Sequence, residues 1–214
     1  MEPRVGRPLG HSDGYEAQRE LILRVAASVF SRRGFDAASM RDVAREARLS
    51  AASLYHYFSS KEALMEGLID RAASGPRAGI QAAALRTVTV RGLLDALGRG
   101  FFLGAGQPET KRLLHAVFLA AHERPAWGRM YLERIVDPAE SSAATALAAL
   151  MSPAARRRLD PAAVVKQLVG ALLSFIIEEE LLRRRGKNHP RREAYLEQVV
   201  DVIASGVEAI AARR

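Results

Sequence analysis

Residues 39–64 read SMRDVAREARLSAASLYHYFSSKEAL. Three helix-start signals sit in this stretch, each at a serine. Ser39, followed three residues later by Asp42, fits a capping box that opens a helix to residue 47. Met40, Val43, Ala44 and Ala47 fall at i, i+3, i+4 and i+7, so that helix has one buried face. Residues 48–50 leave room only for a tight turn. Ser50 then caps a second helix over residues 51–58. Ala51, Leu54, Tyr57 and Phe58 line its core side; Ala52, Ser53, Tyr55 and His56 line the other. Ser59 and Glu62 form another capping box and open a third helix through Lys61. Two short helices joined by three residues make a helix-turn-helix, whose second helix can lie in a DNA major groove.

The surrounding residues extend the pattern. Phe30 and the Gly34-Phe35 pair precede it, and Ser39, Val43, Ala44, Leu54, Tyr55, Phe58, Lys61 and Leu64 follow at fixed spacing. This ordered set closely resembles the DNA-binding head of the tetracycline-repressor family, over roughly residues 16–65. The family usually has glycine where this chain has Arg48, at the end of the motif's first helix. Glycine suits a left-handed turn residue, and a side chain there costs roughly 1 kcal/mol. The resemblance implies that Tyr55 and Lys61 touch phosphate and that Ala52, Ser53 and His56 face bases. Ser39 offers a hydroxyl and a helix N-terminus to a further phosphate. Ser50, Arg41 and Arg48 complete the candidate DNA-binding set.

Composition limits the remainder. The chain has 214 residues, 49% hydrophobic and 26% charged, which describes an ordinary globular protein. Alanine and leucine dominate, aromatics are scarce, and residues 87–90 are the one short candidate strand, so the expected fold is all-α. There is no cysteine, which removes disulfides, thiol nucleophiles and cysteine zinc sites together. The polar N-terminus does not read as a signal peptide. The longest uncharged apolar run, residues 167–177, is far short of a membrane span, so the cytoplasm is the expected location. A net charge of +8 suits a polyanionic partner. Residues 1–61 carry only +3 of it (ten Lys or Arg against seven Asp or Glu), so charge alone does not locate the DNA site.

Taken in order, residues 1–14 form an arm without periodicity, in which Gly6-Arg7-Pro8 resembles a minor-groove hook. Residues 15–33 form a helix striped by Leu21, Ile22, Val25, Ala26, Val29 and Phe30, closed by Gly34. The head spans residues 15–60. Residues 61–73 are a connecting helix, interrupted at Ser74-Gly75-Pro76, that opens a helical body of residues 61–214. Further helices cover residues 90–105 and 109–123, a third starts at Pro125, and two long ones cover about 160–185 and 190–212. The first of these two is apolar on more than one side, so a second chain is expected to cover it. Leu168, Leu172, Phe175, Val199, Val202 and Ile203 are the candidate dimer contacts, resembling the family's four-helix interface.

Catalytic constellations are lacking. No histidine has a glutamate three residues before it, and neither H-E-x-x-H nor a phosphate-binding glycine loop occurs. No metal or cofactor is expected. By resemblance only, the body holds a small apolar effector, lined by Phe101, Phe102, His115, Phe118, His122, Trp127, Met130 and Tyr131, with Arg99 and Arg134 as further polar anchors. The implied function is a transcriptional regulator, most often a repressor, that binds a palindromic operator as a homodimer and is released by its effector. The alternative is a helical dimeric enzyme or ligand-binding adaptor without DNA.

Overall fold

The computed structural model describes residues 12–121, 124–183 and 191–212; the side chains of residues 12, 13, 74, 75, 77, 118–121, 180 and 181 lie outside that description. The Gly6-Arg7-Pro8 segment, His122 and the Phe118 side chain therefore fall outside the described residues. Every regular element among the described residues is helical, and residues 87–90 form no strand. The fold is all-α. Thr89 instead caps a helix, its hydroxyl accepting from Gly92 N.

The chain divides into two units. The first comprises the residues up to Leu68 together with Arg112–Pro125. It contains α1 (Ser12–Arg33), α2 (Met40–Glu46), α3 (Ala51–Tyr57) and the start of α4 (Lys61–Arg86). Its core is built from Ile22, Leu23, Ala26, Phe30, Phe35, Val43, Leu54, Phe58 and Leu64, all buried. The stripe of α1 is rotated from its expected register: Leu21 is exposed and Leu23 and Ala27 are inside. Gly34 ends α1 at φ +78, with its N–H donating to Phe30 O at 2.9 Å. That left-handed residue turns the chain so that Phe35 packs back on Phe30, ring centroids 5.1 Å apart.

Two expectations for α4 need correction. Its cap is Ser60, not Ser59: the Ser60 hydroxyl accepts from Ala63 N and the Ser60 carbonyl from Leu64 N. Two adjacent serines offer the same chemistry, and the burial of Leu64, Met65 and Leu68 selects the frame. Nor does α4 break at residues 74–76; it runs through Pro76 to Arg86. An internal proline costs about 3 kcal/mol in a helix interior. Pro76 lies on an exposed turn, where water can take the carbonyl left without a partner.

The second unit comprises Ile69–Lys111 and the chain from Ala126. It contains α5 (Val90–Ala105), α7 (Pro125–Tyr131, from its second residue), α8 (Asp137–Leu150), α9 (Pro153–Arg158), α10 (Pro161–Phe175) and α11 (Arg191–Ala212), while α6 (Pro108–Ala121) crosses from this unit into the first. π-Helical turns at Leu132–Val136 and Ile176–Leu182 extend α7 and α10. The short α9 escaped sequence reading, although Ser152-Pro153 is a cap followed by a first-turn proline. Helix α10 lies at the centre, packed on α5, α8 and α11. Its Val164, Leu168, Leu172 and Phe175 join Leu93, Leu94, Leu147, Leu196 and Val200 in one core. By length and composition Pro161–Glu179 is apolar enough to cross a membrane, a test that tolerates Lys166 and Glu178, which sequence reading had taken as ends of the run.

The crossing of α5 and α11 depends on Gly98. A Cβ there would stand 2.3 Å from Leu196 Cδ1 and 3.4 Å from Leu172 Cδ1. Both leucines are enclosed in the core, so a shift of either displaces packed neighbours. Gly98→Ala is therefore expected to destabilise the protein by about 1–3 kcal/mol, the usual cost of overpacking, despite alanine's better helix propensity. Thermal unfolding of the variant checks this; a melting temperature at or above the parent's would show that the contact relaxes.

Candidate nucleic-acid interface

Helix α2 begins with the expected capping box. Asp42 N donates to the Ser39 hydroxyl at 3.2 Å, and Ser39 N donates back to Asp42 Oδ2 at 3.1 Å. The Ser39 hydroxyl also donates to Asp42 Oδ2 at 2.7 Å. These bonds, with Arg45 and Arg33 close by, lower the Asp42 carboxyl to a pKa of about 2. The carboxylate is thus held ionised at the positive end of α2.

The turn after α2 is a Schellman motif. Leu49 N donates to Ala44 O at 2.9 Å and Arg48 N to Arg45 O at 3.2 Å. The left-handed residue that this motif requires is Arg48, at φ 57, the only non-glycine with positive φ among the described residues. Helix α3 follows at once. Its cap Ser50 accepts from Ser53 N at 3.0 Å, and the two hydroxyls are 2.8 Å apart. Hydrogen bonds from the backbone N–H groups of Arg48 and Leu49 and at the Ser50 cap tie the chain between the helices and set the direction of α3 relative to α2.

Only Leu54 of α3 is buried, and Phe58 follows it into the core. Ala51 and Tyr57, expected on the core side, are not there: Ala51 is exposed and Tyr57 half-buried. Seven residues of helix cannot bury a broad face against so small a core. Tyr57 instead stacks on Tyr15 of α1, with ring centroids 4.8 Å apart and 27° between planes. Ala52, Ser53, Tyr55 and His56 are all exposed, Tyr55 at 52%.

The arginines divide sharply. Arg32 pairs with Glu46 at 2.5 Å, Arg33 with Asp42 at 2.9 Å and Arg45 with Asp42 at 2.6 Å. Arg41 and Arg48 are exposed and have no carboxylate partner among the described residues. They flank α2 at its start and just past its end.

Lys61, implied to meet phosphate, faces inward here. Its ammonium donates to the carbonyls of Phe35 at 2.9 Å, Asp36 at 3.1 Å and Ala38 at 2.7 Å, and sits 4.6 Å from the Phe35 ring centre. An ammonium has three N–H groups, and all are used. Arg124, from the segment after α6, reinforces the same loop. It contacts Asp36 at 2.8 Å and Glu62 at 3.6 Å and covers the Phe35 ring.

The described residues suggested for an effector pocket have different surroundings within their own units. His115 is exposed in the first unit; Phe102 and Trp127 are buried core in the second. Phe102 packs on Phe175 and under the Arg192 guanidinium. Phe101 and Met130 are half-buried, and Tyr131 is enclosed enough for burial to raise its pKa. Arg99 is held between Asp95 and Glu193, and Arg134 pairs with Asp70 at 2.6 Å. A shallow open depression lined by Asp137, Glu140 and Asp160 includes none of the suggested residues. No His, Asp and Glu cluster among the described residues could hold a metal ion.

Comparison with known proteins agrees with this geometry. The family model described as "Bacterial regulatory proteins, tetR family" matches residues 22–68, the buried face of α1 through the start of α4. The transcriptional repressor KstR2 of Rhodococcus jostii is 36% identical over 62 residues, covering 29% of this chain and 30% of that protein. The transcriptional regulator UidR of Escherichia coli is 45% identical over 56 residues, 25% of this chain and 29% of that one. The matched part thus spans about 30% of the length of these curated relatives. The fold likeness reaches further: the solved structure of the fatty acid degradation regulator FadR from Bacillus halodurans superposes over 95% of this chain and 98% of that one, with a TM-score of 0.72 at 13% identity. The protein is an all-α chain whose N-terminal helix-turn-helix, within residues 22–68, matches the tetR family model, and the relatives that share this segment are transcriptional regulators.

Arg48 carries a prediction. A non-glycine residue in the left-handed region costs about 1–2 kcal/mol, partly offset by its smaller loss of backbone freedom on folding. Arg48→Gly should stabilise the protein by about 0.5–1 kcal/mol while weakening its hold on DNA. Paired thermal melts and duplex titrations check this; lower stability would mean that the arginine side chain supports the turn.

Proposed function

We propose that this protein is a DNA-binding transcriptional repressor that acts as a homodimer on a near-palindromic operator in the cytoplasm. The observation that carries the reading is the exposed set of α3, Ala52, Ser53, Tyr55 and His56, together with two exposed, unneutralised arginines, Arg41 in α2 and Arg48 in the turn into α3. Every other arginine on or facing α2 is paired with an acid. In this reading Arg41, Arg48 and Tyr55 contact phosphate, with Ser39 beside them. Ala52, Ser53 and His56 face base edges, and Ser50 fixes the start of α3. Alanine can meet only a thymine methyl, and serine is permissive, so His56 carries most of the base discrimination. Lys61 acts by holding the loop before Ser39, so its removal weakens DNA binding through the head's geometry.

Titration of selected and unrelated duplexes tests this. Arg41→Ala and Tyr55→Ala should weaken binding to all duplexes about five- to tenfold, and Arg41→Ala should flatten the salt slope by about 1. Ser53→Ala and His56→Ala should alter preference at one or two positions per half-site. Parent-like binding by both phosphate-contact variants would remove α3 from the interface.

The proposed dimer face keeps Val199, Val202 and Ile203 of the residues suggested by sequence but not Leu168, Leu172 and Phe175. Leu168, Leu172 and Phe175 are packed within their own chain and have no surface to offer a partner. The exposed stripe of α10 and its extension is Ala163, Gln167, Gly170, Ser174 and Ile177, at i, i+4, i+7, i+11 and i+14. On α11, exposed Val202 and Ala209 with half-buried Val199 and Gly206 form another, with Val202 73% exposed and Ile203 half-buried at its edge. Gly170 and Gly206 have open space where a Cβ would stand. Small residues on both stripes allow close approach of a second pair of helices. The same coverage explains an α10 apolar enough for a membrane without placing it in one. Two heads held this way would meet DNA about 34–36 Å apart. Val202→Glu and Gly170→Glu should give a folded monomer of 23.4 kDa with no operator binding; sedimentation of a parent-like dimer would assign the interface elsewhere.

Effector release is the remaining part of the proposal. Helix α6 runs out of the body's unit into the head's, and Arg124 beyond it grips Asp36 and Glu62. A small apolar molecule that shifts α6 would pull on the loop that Lys61 secures. A coupling of about 1–3 kcal/mol suffices for a switch, and linkage requires operator to weaken effector binding by the same factor.

A further inference from the structure

Tyr15 stands 41 residues before His56 in the sequence, on the first described turns of α1. Its ring nonetheless meets the outer end of α3. It stacks on Tyr57 at 4.8 Å and presents an edge-on contact to His56, with centroids 6.2 Å apart and planes at 89°. His56 and Tyr57 are themselves edge to face at 5.5 Å and 82°. The three rings form a closed cluster on the surface of the head. Tyr15 is 38% exposed and makes no hydrogen bond among the described residues, so ring contact is what the side chain contributes.

We propose that Tyr15 is a positioning residue for sequence recognition: it fixes the His56 imidazole against α3 so that one ring edge faces a base pair. This rests on the reading of α3 as the helix that meets DNA bases. The physical need is plain. Helix α3 is anchored by Leu54 and Phe58 only, and His56 points away from both. An exposed histidine on a short helix samples several rotamers, and each would present its ring nitrogens to a different base edge. Two aromatic neighbours, one from the same helix and one from α1, restrict that choice before DNA arrives. Preorganisation of this kind sharpens discrimination while adding no phosphate contact.

The test is a selection from a pool of randomised duplexes, followed by titrations of the selected duplex over a range of salt, for the parent, Tyr15→Phe, Tyr15→Ala, His56→Ala and the Tyr15→Ala/His56→Ala double variant. Circular dichroism checks that each is folded, and Tyr15→Leu, which keeps apolar bulk without a ring, replaces any Tyr15→Ala variant that is not. Tyr15→Phe should select the parent's sequence. Tyr15→Ala should lose about three- to tenfold discrimination at one or two base pairs per half-site, with an unchanged salt slope. In the His56→Ala background it should lose nothing further, because the two act as one unit. Retained discrimination in Tyr15→Ala overturns the proposal while leaving the DNA-binding reading intact. So does an equal loss on all duplexes in both Tyr15→Phe and Tyr15→Ala with a flatter salt slope, which would make the hydroxyl a phosphate contact. A parent that binds no duplex overturns both readings.

Discussion

The head depends on one half-buried cation. Lys61 opens α4, and its ammonium gathers the carbonyls of Phe35, Asp36 and Ala38. Those carbonyls belong to the loop between α1 and α2, which has no regular structure of its own to satisfy them. A hydrogen bond to a charged donor contributes about 1.5–3 kcal/mol, and an unmet buried carbonyl costs about as much. The same loop ends at Ser39, whose cap starts α2, whose end sets the turn into α3. The direction of the recognition helix therefore descends, bond by bond, from a lysine on the helix that leads to the body. Arg124 adds a second cation from the end of α6 to the same loop, through Asp36 and the Phe35 face.

Local chemistry was well marked in the sequence. The Ser39–Asp42 box, the Ser50 cap and the Gly34 turn stand where spacing put them, and the left-handed residue at Arg48 stands where the family resemblance implied one. Each is decided by residues within five positions of one another, so a linear reading contains the whole interaction. Errors came where two neighbours offered equal local chemistry. Ser59 and Ser60 are interchangeable as caps until tertiary burial chooses between them. Tyr57 has the right period for the core, but a seven-residue helix over a small core buries only Leu54. Lys61's role was invisible for a further reason: its partners are backbone carbonyls 23 to 26 residues away, and carbonyls carry no side-chain signature.

The body was legible as helices and not as surfaces. A helix apolar on more than one side must be covered, but periodicity does not say which side meets its own chain. Large side chains were taken for the dimer contacts because they carry most apolar area. In the structure they go to the intrachain core, where Leu168 and Leu172 meet α5 and α8. The outward stripe is left with Ala163, Gly170, Ser174 and Ile177. This distribution has a physical logic. A core within one chain must form first and fills best with bulk, whereas a second helix pair approaches closely only where side chains are small. The aromatic residues suggested for a pocket met the same limit, since Phe102 and Trp127 are equally suited to filling a core.

Arg48 shows how function bears on the local rules. The Schellman turn after α2 requires a left-handed residue, and glycine fits it without strain. An arginine there sacrifices stability at a site where nothing in the head compensates: it has no acidic partner among the described residues and is exposed. Arg32 and Arg33 at the end of α1 and Arg45 on α2 are all neutralised by Asp42 or Glu46. Asp42 is held ionised at a pKa of about 2 and serves two of these arginines and the Ser39 cap at once. The acids of α2 are thus consumed by structural cations, and the two arginines outside their reach keep full charge toward solvent. A strained backbone position occupied by a free cation, next to an exposed helix face, is the arrangement expected where an anionic ligand supplies the missing partner. An anionic partner at this surface would give the strain at Arg48 and the unpaired charge at Arg41 a single explanation.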